Sequence, residues 1–509
     1  MSLAGWIAAS AARHPNRLAL RHVGGELTYD GLAREVDAIG RAMVAAGVQR
    51  GQYVGWLGPS SAAQLAALFA CARLGAVLML LNWRLTPHEH HGMLADCPIA
   101  LLVVDEPYIQ ACAEHDVAAG RGCRVARGQV TNGWTGFDEF VARGSHAELP
   151  TAPGAGSAPV LLCWTSGSNA KPKGVLLSAN ALQACADASV EMHALTADDR
   201  ILTTTPLFHV GGLNIQTTPA LRAGCSVTLH ARFDPDATLD AIERERITLA
   251  SLVPAQIEVL LAHPRWATAD LGSLRAVTTG STFVPQHQIL AMHRRGVPLL
   301  QVWGATETSP ISACLRLGEE VLKAGSAGRA ALGVELRIVD QQERDVPTGQ
   351  SGEILVRGAN VMNGYQGDPE GTARALRAGW FHSGDSGYLD AEGYLYVNGR
   401  FKDMIISGGE NVSPAEIEAL LIECPEIAEV AVIGRPDQRW GEVPVAVVVP
   451  KPGVSIGREL VLGLCEGRLA RYKHPKEVVF LPALPRTALG KVRREELRRA
   501  VEGDQGRGL

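Results

Sequence analysis

Short apolar runs recur along the N-terminal part of this chain, and each is followed by small or polar residues. Between the runs, apolar side chains return at helical spacing, as in Leu32, Val36, Ile39 and Met43. The runs are Tyr53–Leu57, Ile99–Val104, Ile201–Pro206, Ser226–Leu229, Leu249–Pro254, Leu274–Ser281 and Pro298–Gly304. This alternation predicts an α/β fold with a parallel or mixed sheet. Because ligands bind at the carboxyl ends of strands in such sheets, we expect functional residues in the loops after these runs.

The composition excludes several classes of protein. At 509 residues, with 46% hydrophobic and 20% charged residues, the chain is too long for one core and has a globular balance. A net charge of −5 without a basic face argues against nucleic acid as a partner. The ten cysteines form no CxxC pair, which favours reduced thiols in the cytoplasm over a disulfide framework or a zinc site. The longest apolar region, Ala62 to Leu81, contains Arg73, so we predict a helix and a buried strand and no transmembrane segment.

The pattern changes twice towards the C-terminus. Short strands with Gly turns beyond residue 330 predict a β-rich lobe, and a small α+β pattern follows from about residue 400. We therefore predict a large N-terminal domain, residues 1–399, built of two βα sub-lobes and a small β-rich lobe. A small α+β C-terminal domain, residues 400–509, would follow it.

A polar loop, residues 164–174, lies between the apolar runs Val160–Cys163 and Val175–Leu177. It reads Trp-Thr-Ser-Gly-Ser-Asn-Ala-Lys-Pro-Lys-Gly, a pattern typical of a strand, a tight loop and a second strand. Short side chains let backbone N–H groups approach an anion, while Thr165, Ser166 and Ser168 add hydroxyl donors and Lys173 adds a positive charge. An ordinary hairpin rich in Ser, Gly and Lys would contain the same residues, so the loop alone leaves both interpretations open.

Three further features have two interpretations when only the residues are considered. His209, at a strand end beside glycines, either faces a cleft or is a structural histidine. Glu307 follows the last apolar run, where its carboxylate could hold a divalent cation. The segment His88–His91 is similar to a set of metal ligands, but Thr86 and Pro87 before it favour a solvated first helical turn.

Five motifs decide between these interpretations by their order and spacing. They are the loop at residues 164–174, Gln301–Glu307, Ser383–Asp385, Gly399–Asp403 and Pro485–Lys491. Together they resemble the core motifs of the AMP-forming acyl-CoA synthetases, which include acyl- and aryl-CoA ligases, peptide-synthetase adenylation domains and beetle luciferases. The resemblance covers nearly the whole chain. It implies that a carboxylate attacks the α-phosphorus of Mg-ATP, giving an acyl-adenylate and pyrophosphate, and that a thiol, usually coenzyme A, then displaces AMP.

The resemblance also implies a role for each matching residue. The β- and γ-phosphates of ATP would be cradled by Thr165, Ser166, Gly167, Ser168, Asn169 and Lys173. Thr306 would contact the α-phosphate, and Glu307 would hold Mg²⁺. The adenine site would be lined by Gly280, Ser281 and Thr282, with Trp303 near the ring and Gly304 next to it in the chain. Asp385 would accept hydrogen bonds from the ribose hydroxyls, with Arg400 beside it.

The C-terminal residues are implied to act in both half-reactions. Lys491 would bridge the carboxylate and α-phosphate oxygens as a mobile point charge. Lys402 is similar to the hinge about which a mobile C-terminal domain rotates. That rotation would withdraw Lys491 and bring Gly408 and Gly409 to the thiol tunnel, where a passing pantetheine chain leaves no room for a Cβ atom. His209 would stand at the gate between the acyl pocket and the tunnel, as a fourth catalytic residue beside Lys491, Thr306 and Glu307.

The loop departs from the family pattern at one position that concerns its backbone. Ala170 stands where the family has glycine, and a positive φ there would cost about 1 kcal/mol for alanine. A histidine that commonly follows the loop is Ala179 here. We therefore hypothesise weaker ATP binding but not inactivity, because Lys491, Glu307 and Asp385 are all retained.

The acyl substrate is indicated by the character of its candidate pocket. Those residues, Val210, Gly211, Gly212, Pro310 and Ile311, are small or apolar and none is cationic. We expect a medium-chain or aromatic monocarboxylate. The alternatives are an enzyme that loads a carrier protein, a malonate-like dicarboxylate CoA ligase, and a silent nucleotide-binding protein. The expected ligands are ATP, Mg²⁺, coenzyme A and a small carboxylate, with a cytoplasmic monomer or homodimer.

Overall fold

The computed structural model describes residues 2–95, 97–114, 122–130, 133–150, 154–165, 172–281, 284–403, 405–407, 410–437, 440–466, 468–469, 471–486 and 492–504. The helices are α1 Trp6–Arg13, α2 Tyr29–Ala45, α3 Ala62–Leu74, α4 Pro87–Ala95, α5 Tyr108–Glu114, α6 Phe137–Arg143, α7 Ala179–His193, α8 Val210–Asn214, α9 Thr217–Ala223, α10 Pro235–Glu245, α11 Pro254–Leu261, α12 Gln286–Arg294, α13 Pro369–Ala375, α14 Pro414–Leu421, α15 Arg458–Gly463 and α16 Arg494–Asp504. Short 3₁₀ turns occupy Leu3–Gly5, Pro264–Ala267, Thr306–Thr308, Phe401–Asp403 and Arg471–Lys473.

The strands alternate with these helices through most of the chain. They are β1 Leu18–His22, β2 Gly25–Thr28, β3 Tyr53–Leu57, β4 Val77–Leu81, β5 Ile99–Asp105, β6 Cys123–Arg127, β7 Thr135–Gly136, β8 Pro159–Thr165, β9 Lys173–Ser178, β10 Arg200–Thr203, β11 Ser226–Leu229, β12 Leu249–Ser251, β13 Ala276–Thr279, β14 Leu299–Trp303, β15 Ala313–Cys314, β16 Arg329–Ala330, β17 Val334–Val339, β18 Gly352–Gly358, β19 Gly364–Tyr365, β20 Leu376–Arg377, β21 Trp380–Leu389, β22 Leu395–Arg400, β23 Ile405–Ser407, β24 Glu410–Val412, β25 Ile427–Asp437, β26 Gly441–Pro450 and β27 Glu477–Phe480.

Two large mixed sheets carry the N-terminal part of the fold. One has nine strands in the order β16-β15-β14-β13-β12-β10-β11-β1-β2, and the other has eight in the order β19-β9-β8-β4-β3-β5-β6-β7. Within the nine-stranded sheet, β14, β13, β12, β10, β11 and β1 run parallel to one another, and within the eight-stranded sheet β8, β4, β3, β5, β6 and β7 do the same. The strands that flank these runs, β15, β2 and β9, pair antiparallel. The predicted α/β class with a mixed sheet is confirmed.

The predicted helix and strand at residues 62–81 are confirmed as α3 and β4. Helix α3 begins with a capping box between Ser61 and Gln64, and it ends at Gly75, whose φ of 71° is a left-handed conformation that suits glycine. Nearly every residue of α3 is buried, because the helix is apolar on all sides and lies inside the fold. Among the residues that the structure describes, none of the helices combines the length and apolar character needed to cross a membrane.

The predicted face of helix α2 is also confirmed. Its four apolar residues at helical spacing, Leu32, Val36, Ile39 and Met43, are all buried. Thr28 caps the start of the helix, and its side chain accepts a hydrogen bond from the Gly31 N–H group. The ten cysteines are all thiols, nine of them buried, as predicted.

Several elements are shorter than their sequence pattern predicts. Strand β12 ends at Ser251 because Val253 caps helix α11 and Pro254 occupies its first turn. The sequence pattern predicts a helix from Glu459 to Leu469, but helix α15 ends at Gly463, since glycine is the poorest helix former after proline.

The chain divides into two compact units, each with its own core. One comprises residues 1–336 and 356–381, and the other residues 337–355 and 382–509. The second unit contains a sheet in the order β24-β23-β26-β25, with β27 beside β26, and buries Ile405, Val432 and Val448. A further sheet has the order β17-β18-β21-β20, with β22 beside β21. The sequence boundaries of the units fall within its strands β17, β18 and β21. The boundary predicted between residues 399 and 400 stays a prediction.

Candidate active site

The loops that follow four parallel strands of the nine-stranded sheet hold most of the predicted residues of the first unit. Strands β10, β12, β13 and β14 are consecutive neighbours, with Ile201 opposite Leu249 and Val277 opposite Leu299. His209 follows β10, Gly280 and Ser281 follow β13, and residues 303–307 end and follow β14. Because the strands are parallel, these loops leave the same edge of the sheet.

The turn after β14 requires glycine and is closed by its own side chains. A Cβ atom added at Gly304 would lie 1.8 Å from the carbonyl oxygen of Pro310, so no other residue fits there. The Ala305 N–H group donates to Thr308 Oγ1 at 2.9 Å. Ser309 follows with a φ of 71°. This turn carries Thr306 and Glu307, both half-buried, while Trp303 is buried at its start.

Asn360 holds the same turn from a distant part of the sequence. Its side-chain amide donates to the carbonyl oxygens of Thr308 and Ile311, each at 3.0 Å. In return, Ser309 Oγ donates to the Asn360 carbonyl at 2.8 Å. Asn360 is 1% exposed. The sequence does not predict a role for Asn360, because a lone asparagine gives no signal of its partners.

The Glu307 carboxylate is linked to Lys173 through Tyr365, a second residue whose role the sequence does not predict. Tyr365 Oη donates to Glu307 Oε1 at 2.8 Å, and the Lys173 ammonium nitrogen lies 4.6 Å from the centroid of the Tyr365 ring. Lys173 also approaches Asp368 Oδ2, at 4.0 Å. Two predicted ATP-binding residues are therefore brought together.

The predicted strand, loop and strand around residue 170 are confirmed for the two strands. Strands β8 and β9 are antiparallel, with Thr165 opposite Lys173, and Thr165 Oγ1 donates to the Lys173 carbonyl at 3.4 Å. The loop residues Ser166, Gly167, Ser168, Asn169 and Ala170 lie outside the described residues, as does Thr282. Their roles stay predictions.

The candidate acyl pocket begins at His209, which caps helix α8. His209 is half-buried, and its ring centroid lies 4.5 Å from that of Phe208. A Cβ atom added at Gly212 would lie 2.4 Å from the Pro206 carbonyl oxygen, whereas at Gly211 it would meet only Ile215 Cδ1, at 3.6 Å. The fold therefore requires glycine at Gly212 but not at Gly211. The other candidates, Val210, Pro310 and Ile311, are buried.

A cationic and aromatic cluster lies beside His209 and was not predicted. The guanidinium carbons of Arg84 and Arg232 lie 5.0 Å and 4.6 Å from the centroid of the Trp83 ring. Trp83 in turn packs edge-on against Phe208, with 6.4 Å between ring centroids. Arg84 also lies 5.8 Å from the Phe208 ring. The pocket residues themselves are not cationic, but two arginines lie next to them.

A buried polar network supports strand β13 behind the predicted adenine loop. His193 Nε2 lies 2.7 Å from Thr278 Oγ1, and Gln216 Nε2 donates to the same hydroxyl at 3.0 Å. The other ring nitrogen, Nδ1, lies 2.9 Å from the Ser189 carbonyl oxygen. Burial lowers the pKa of His193 to about 4, so the ring is neutral at physiological pH.

The second unit contains the predicted ribose residues as a cross-strand pair. Asp385 on β21 lies opposite Arg400 on β22, and Arg400 Nη1 is 3.0 Å from Asp385 Oδ1. Arg400 also donates to the Ser383 carbonyl at 3.4 Å. Its side chain is 53% exposed. An exposed pair of this kind contributes little to stability. It leaves the guanidinium accessible to a ligand.

The remaining predictions for the second unit are not tested by the geometry. Lys402 lies in the 3₁₀ turn Phe401–Asp403, but its side chain is outside the described part of the structure. Gly408, Gly409 and Lys491 also lie outside the described residues. In the described part of the chain, no group of three or more His, Cys, Asp or Glu side chains could hold a metal ion.

The prediction of a solvated helical turn at His88–His91 is wrong for His90. This side chain is buried, with Nε2 2.9 Å from the Asn82 carbonyl oxygen.

Two family models match most of the chain. The model described as AMP-binding enzyme matches residues 7–366, and the model of the AMP-binding enzyme C-terminal domain matches residues 416–491. The chain belongs to the AMP-binding enzymes. Within that family it is an AMP-forming acyl- or aryl-CoA ligase, as its motifs predict.

Relatives of this AMP-binding enzyme match it over nearly its whole length. An indoleacetate–CoA ligase of Aromatoleum aromaticum is 54% identical over 98% of both chains. A feruloyl-CoA synthase of an Amycolatopsis species is 41% identical, again over 98% of both chains. The solved structure of the anthranilate CoA ligase AuaEII in complex with anthranoyl-AMP is 28% identical, with a TM-score of 0.87 over 98% of this chain and 97% of that one.

Proposed function

We propose that this enzyme activates an aromatic monocarboxylate, of the arylacetate kind, with Mg-ATP and transfers the acyl group to coenzyme A. The observation that carries the proposal is the pair Lys173 and Glu307, which Tyr365 links. Glu307 is a carboxylate after a parallel strand, where ligands of such sheets bind, and Lys173 brings a cation to it from the start of β9. The names of the relatives supply the substrate class, since the matched ligases act on indoleacetate, ferulate and anthranilate by name.

The first half-reaction requires neutralisation of charge more than acid–base catalysis. A carboxylate and a triphosphate are both anions and must meet at the α-phosphorus, so donors aimed at the phosphate oxygens lower the barrier. In the proposal, Lys173 acts at the β- and γ-phosphates and Thr306 at the α-phosphate. Lys491 remains the predicted point charge between the reacting oxygens.

Glu307 suits Mg²⁺ by the chemistry of its side chain. Mg²⁺ prefers oxygen ligands and in nucleotide sites takes one or two carboxylates together with substrate phosphates. The Glu307 carboxylate is half-buried at the end of the turn and already oriented by Tyr365. Mg²⁺ bound there would neutralise phosphate charge, and the residue that would hold it is Glu307.

The acyl site is proposed to accept a flat ring because of the space at Gly211. This glycine is not required by the fold, since an added Cβ atom would meet only one methyl group at ordinary contact distance. With Phe208 beside His209 and no side chain at position 211, an aromatic ring could stack and slide between them.

Coenzyme A is the proposed thiol because a cationic surface adjoins the gate residue. Coenzyme A carries phosphates and an adenine ring, and the Arg84 and Arg232 guanidinium groups on Trp83 offer both charge and a stacking face. A carrier protein would present only a phosphopantetheine arm to this surface.

The test is a substrate panel followed by mass spectrometry. Purified protein is incubated with Mg-ATP and indoleacetate, phenylacetate, ferulate, anthranilate, octanoate or malonate, with and without coenzyme A. The proposal predicts AMP and an aryl-CoA thioester that depend on coenzyme A, with an arylacetate as the best substrate. Preference for malonate or octanoate would overturn the substrate class, and an aryl-adenylate that never reaches coenzyme A would overturn the acceptor.

A further inference from the structure

Tyr365 touches two oppositely charged groups that come from separate parts of the chain. Its hydroxyl donates to the Glu307 carboxylate at 2.8 Å, while the face of its ring lies 4.6 Å from the Lys173 ammonium. In both contacts a charge strengthens the interaction. The first is a hydrogen bond to a carboxylate, and the second is a cation–π interaction. One half-buried side chain therefore orients two groups with separate roles in ATP binding.

Backbone pairing fixes Tyr365 between the two groups. Strand β19 runs antiparallel to β9, with Tyr365 opposite Val175 two residues after Lys173. The Gln366 N–H group donates to the Gly174 carbonyl at 2.7 Å. On the other side, the Met362 N–H group donates to the Glu307 carbonyl at 2.8 Å. Residues 362–366 thus connect the end of the phosphate loop to the turn that carries Glu307.

The position of Tyr365 also keeps its two partners on different parts of one side chain. Lys173 lies over the ring face and Glu307 meets the hydroxyl, so neither charge has to neutralise the other directly. The nearby carboxylate of Asp368 competes only weakly for Lys173, because its Oδ2 is 4.0 Å away and its Oδ1 accepts from the Gly371 N–H group. Both charges remain available for a ligand.

We infer that Tyr365 is a positioning residue for Mg-ATP: its hydroxyl orients Glu307 toward the metal, and its ring holds Lys173 toward the phosphates. The inference rests on the proposed function, since it assigns Lys173 and Glu307 to the same nucleotide. The hydroxyl and the ring of Tyr365 then have separate roles. The hydroxyl governs the metal-dependent part of ATP binding, and the ring governs the metal-independent part.

Two substitutions separate these parts. Tyr365→Phe removes the hydroxyl and keeps the ring, whereas Tyr365→Leu removes both. Tyr53→Phe is the matched control, because Tyr53 Oη donates to Gln366 Oε1 at 2.6 Å and so loses a comparable bond next to Tyr365. Tyr53 is 6% exposed, which makes the control at least as demanding for the fold.

The measurement is ATP binding by isothermal titration calorimetry, with Mg²⁺ and in EDTA, without carboxylate or coenzyme A. For Tyr365→Phe we expect the Kd of Mg-ATP to rise about 5- to 10-fold, the loss of one hydrogen bond to a charged group, with the Kd in EDTA unchanged. Tyr365→Leu should in addition weaken binding in EDTA by about 3-fold, the loss of a cation–π contact. Tyr53→Phe should leave the ratio of the two Kd values at the wild-type value.

The contrast between the two conditions is made within each protein, so a reduced folded fraction does not mimic it. Equal weakening of Tyr365→Phe with and without Mg²⁺, no weakening at all, or the same pattern in Tyr53→Phe would overturn the inference. If no acid of the panel is activated but the Mg²⁺-dependent loss is found, the proposed function fails and the inference stands. If the wild-type protein binds no Mg-ATP, both fail.

Discussion

Replacement of Asn360 by alanine removes the clamp on the turn that carries Thr306 and Glu307. The Asn360 amide donates to two buried carbonyl oxygens at 3.0 Å, those of Thr308 and Ile311. An alanine side chain reaches neither. The turn then keeps its local closure, the bond from the Ala305 N–H group to Thr308 Oγ1, and the bonds that join Ser309 Oγ to the main-chain carbonyl of residue 360 and the Met362 N–H group to the Glu307 carbonyl.

The expected loss of stability follows from these two carbonyl groups. A buried polar group left without its partner costs about 1–3 kcal/mol, so two of them give about 2–5 kcal/mol in the free energy of unfolding. A loss smaller than about 2 kcal/mol would mean that the turn relaxes and that water binds the two carbonyl oxygens. In either case Thr306 and Glu307 move relative to the proposed ATP site, and a displacement of about 1 Å can cost about 100-fold in rate.

The assay pairs chemical denaturation with adenylation measured as ATP–pyrophosphate exchange. Asn363→Ala is the matched control, because the exposed Asn363 amide donates to the Ser157 carbonyl and water can replace it. We expect its unfolding free energy to change by less than about 0.5 kcal/mol. We expect Asn360→Asp, which keeps the shape but loses the donors, to be no better than Asn360→Ala. An Asn360→Ala protein with wild-type denaturation midpoint and exchange rate would refute the reasoning.

Three further predictions concern the acyl site, the buried histidine and the second unit. In Gly211→Ala the added methyl group fits the fold but narrows the proposed acyl site. We expect kcat/KM for a bicyclic acid to fall about 10-fold and kcat/KM for phenylacetate to change less, in parallel assays with thermal unfolding as the check of the fold. Burial lowers the pKa of His193 to about 4 in the folded protein. Between pH 7 and pH 5 the histidine therefore gains a proton in the unfolded chain but not in the folded one, which favours unfolding. We expect this histidine to lower the wild-type unfolding free energy by about 2 kcal/mol from pH 7 to pH 5. Denaturation of His193→Gln at the two pH values should lack that part of the decrease, and an identical slope would contradict it. Arg494 Nη1 pairs with Glu418 Oε1 at 2.8 Å, so Arg494→Met leaves a partly buried carboxylate without its arginine and should destabilise the second unit by about 3 kcal/mol. Arg344 forms an exposed pair, and Arg344→Met should cost at most about 1 kcal/mol in the same denaturation assay.

The elements that sequence predicts well are those with a strong local pattern. Helix α2 shows four apolar residues at helical spacing, and all four are buried. Strands β3, β5 and β14 are continuous apolar runs and coincide with the predicted strands to within two residues at each end. By contrast, the sequence pattern favours a helix from Glu459 to Leu469, but helix α15 ends at Gly463. Termini depend on single caps and neighbours, which periodicity does not encode.

The amino-acid sequence by itself determined the α/β class and the family, and it predicted which groups meet ATP. Five motifs in fixed order suffice for that, since phosphate, ribose and metal each need a particular side-chain chemistry. Only the tertiary structure decided which residues hold those groups in place. Asn360 lies 52 positions after Thr308 and Tyr365 lies 58 positions after Glu307, and hydrogen bonds between such distant segments leave no periodic trace along the chain. They form because β19 pairs with β9, and that pairing exists only once the sheet has folded.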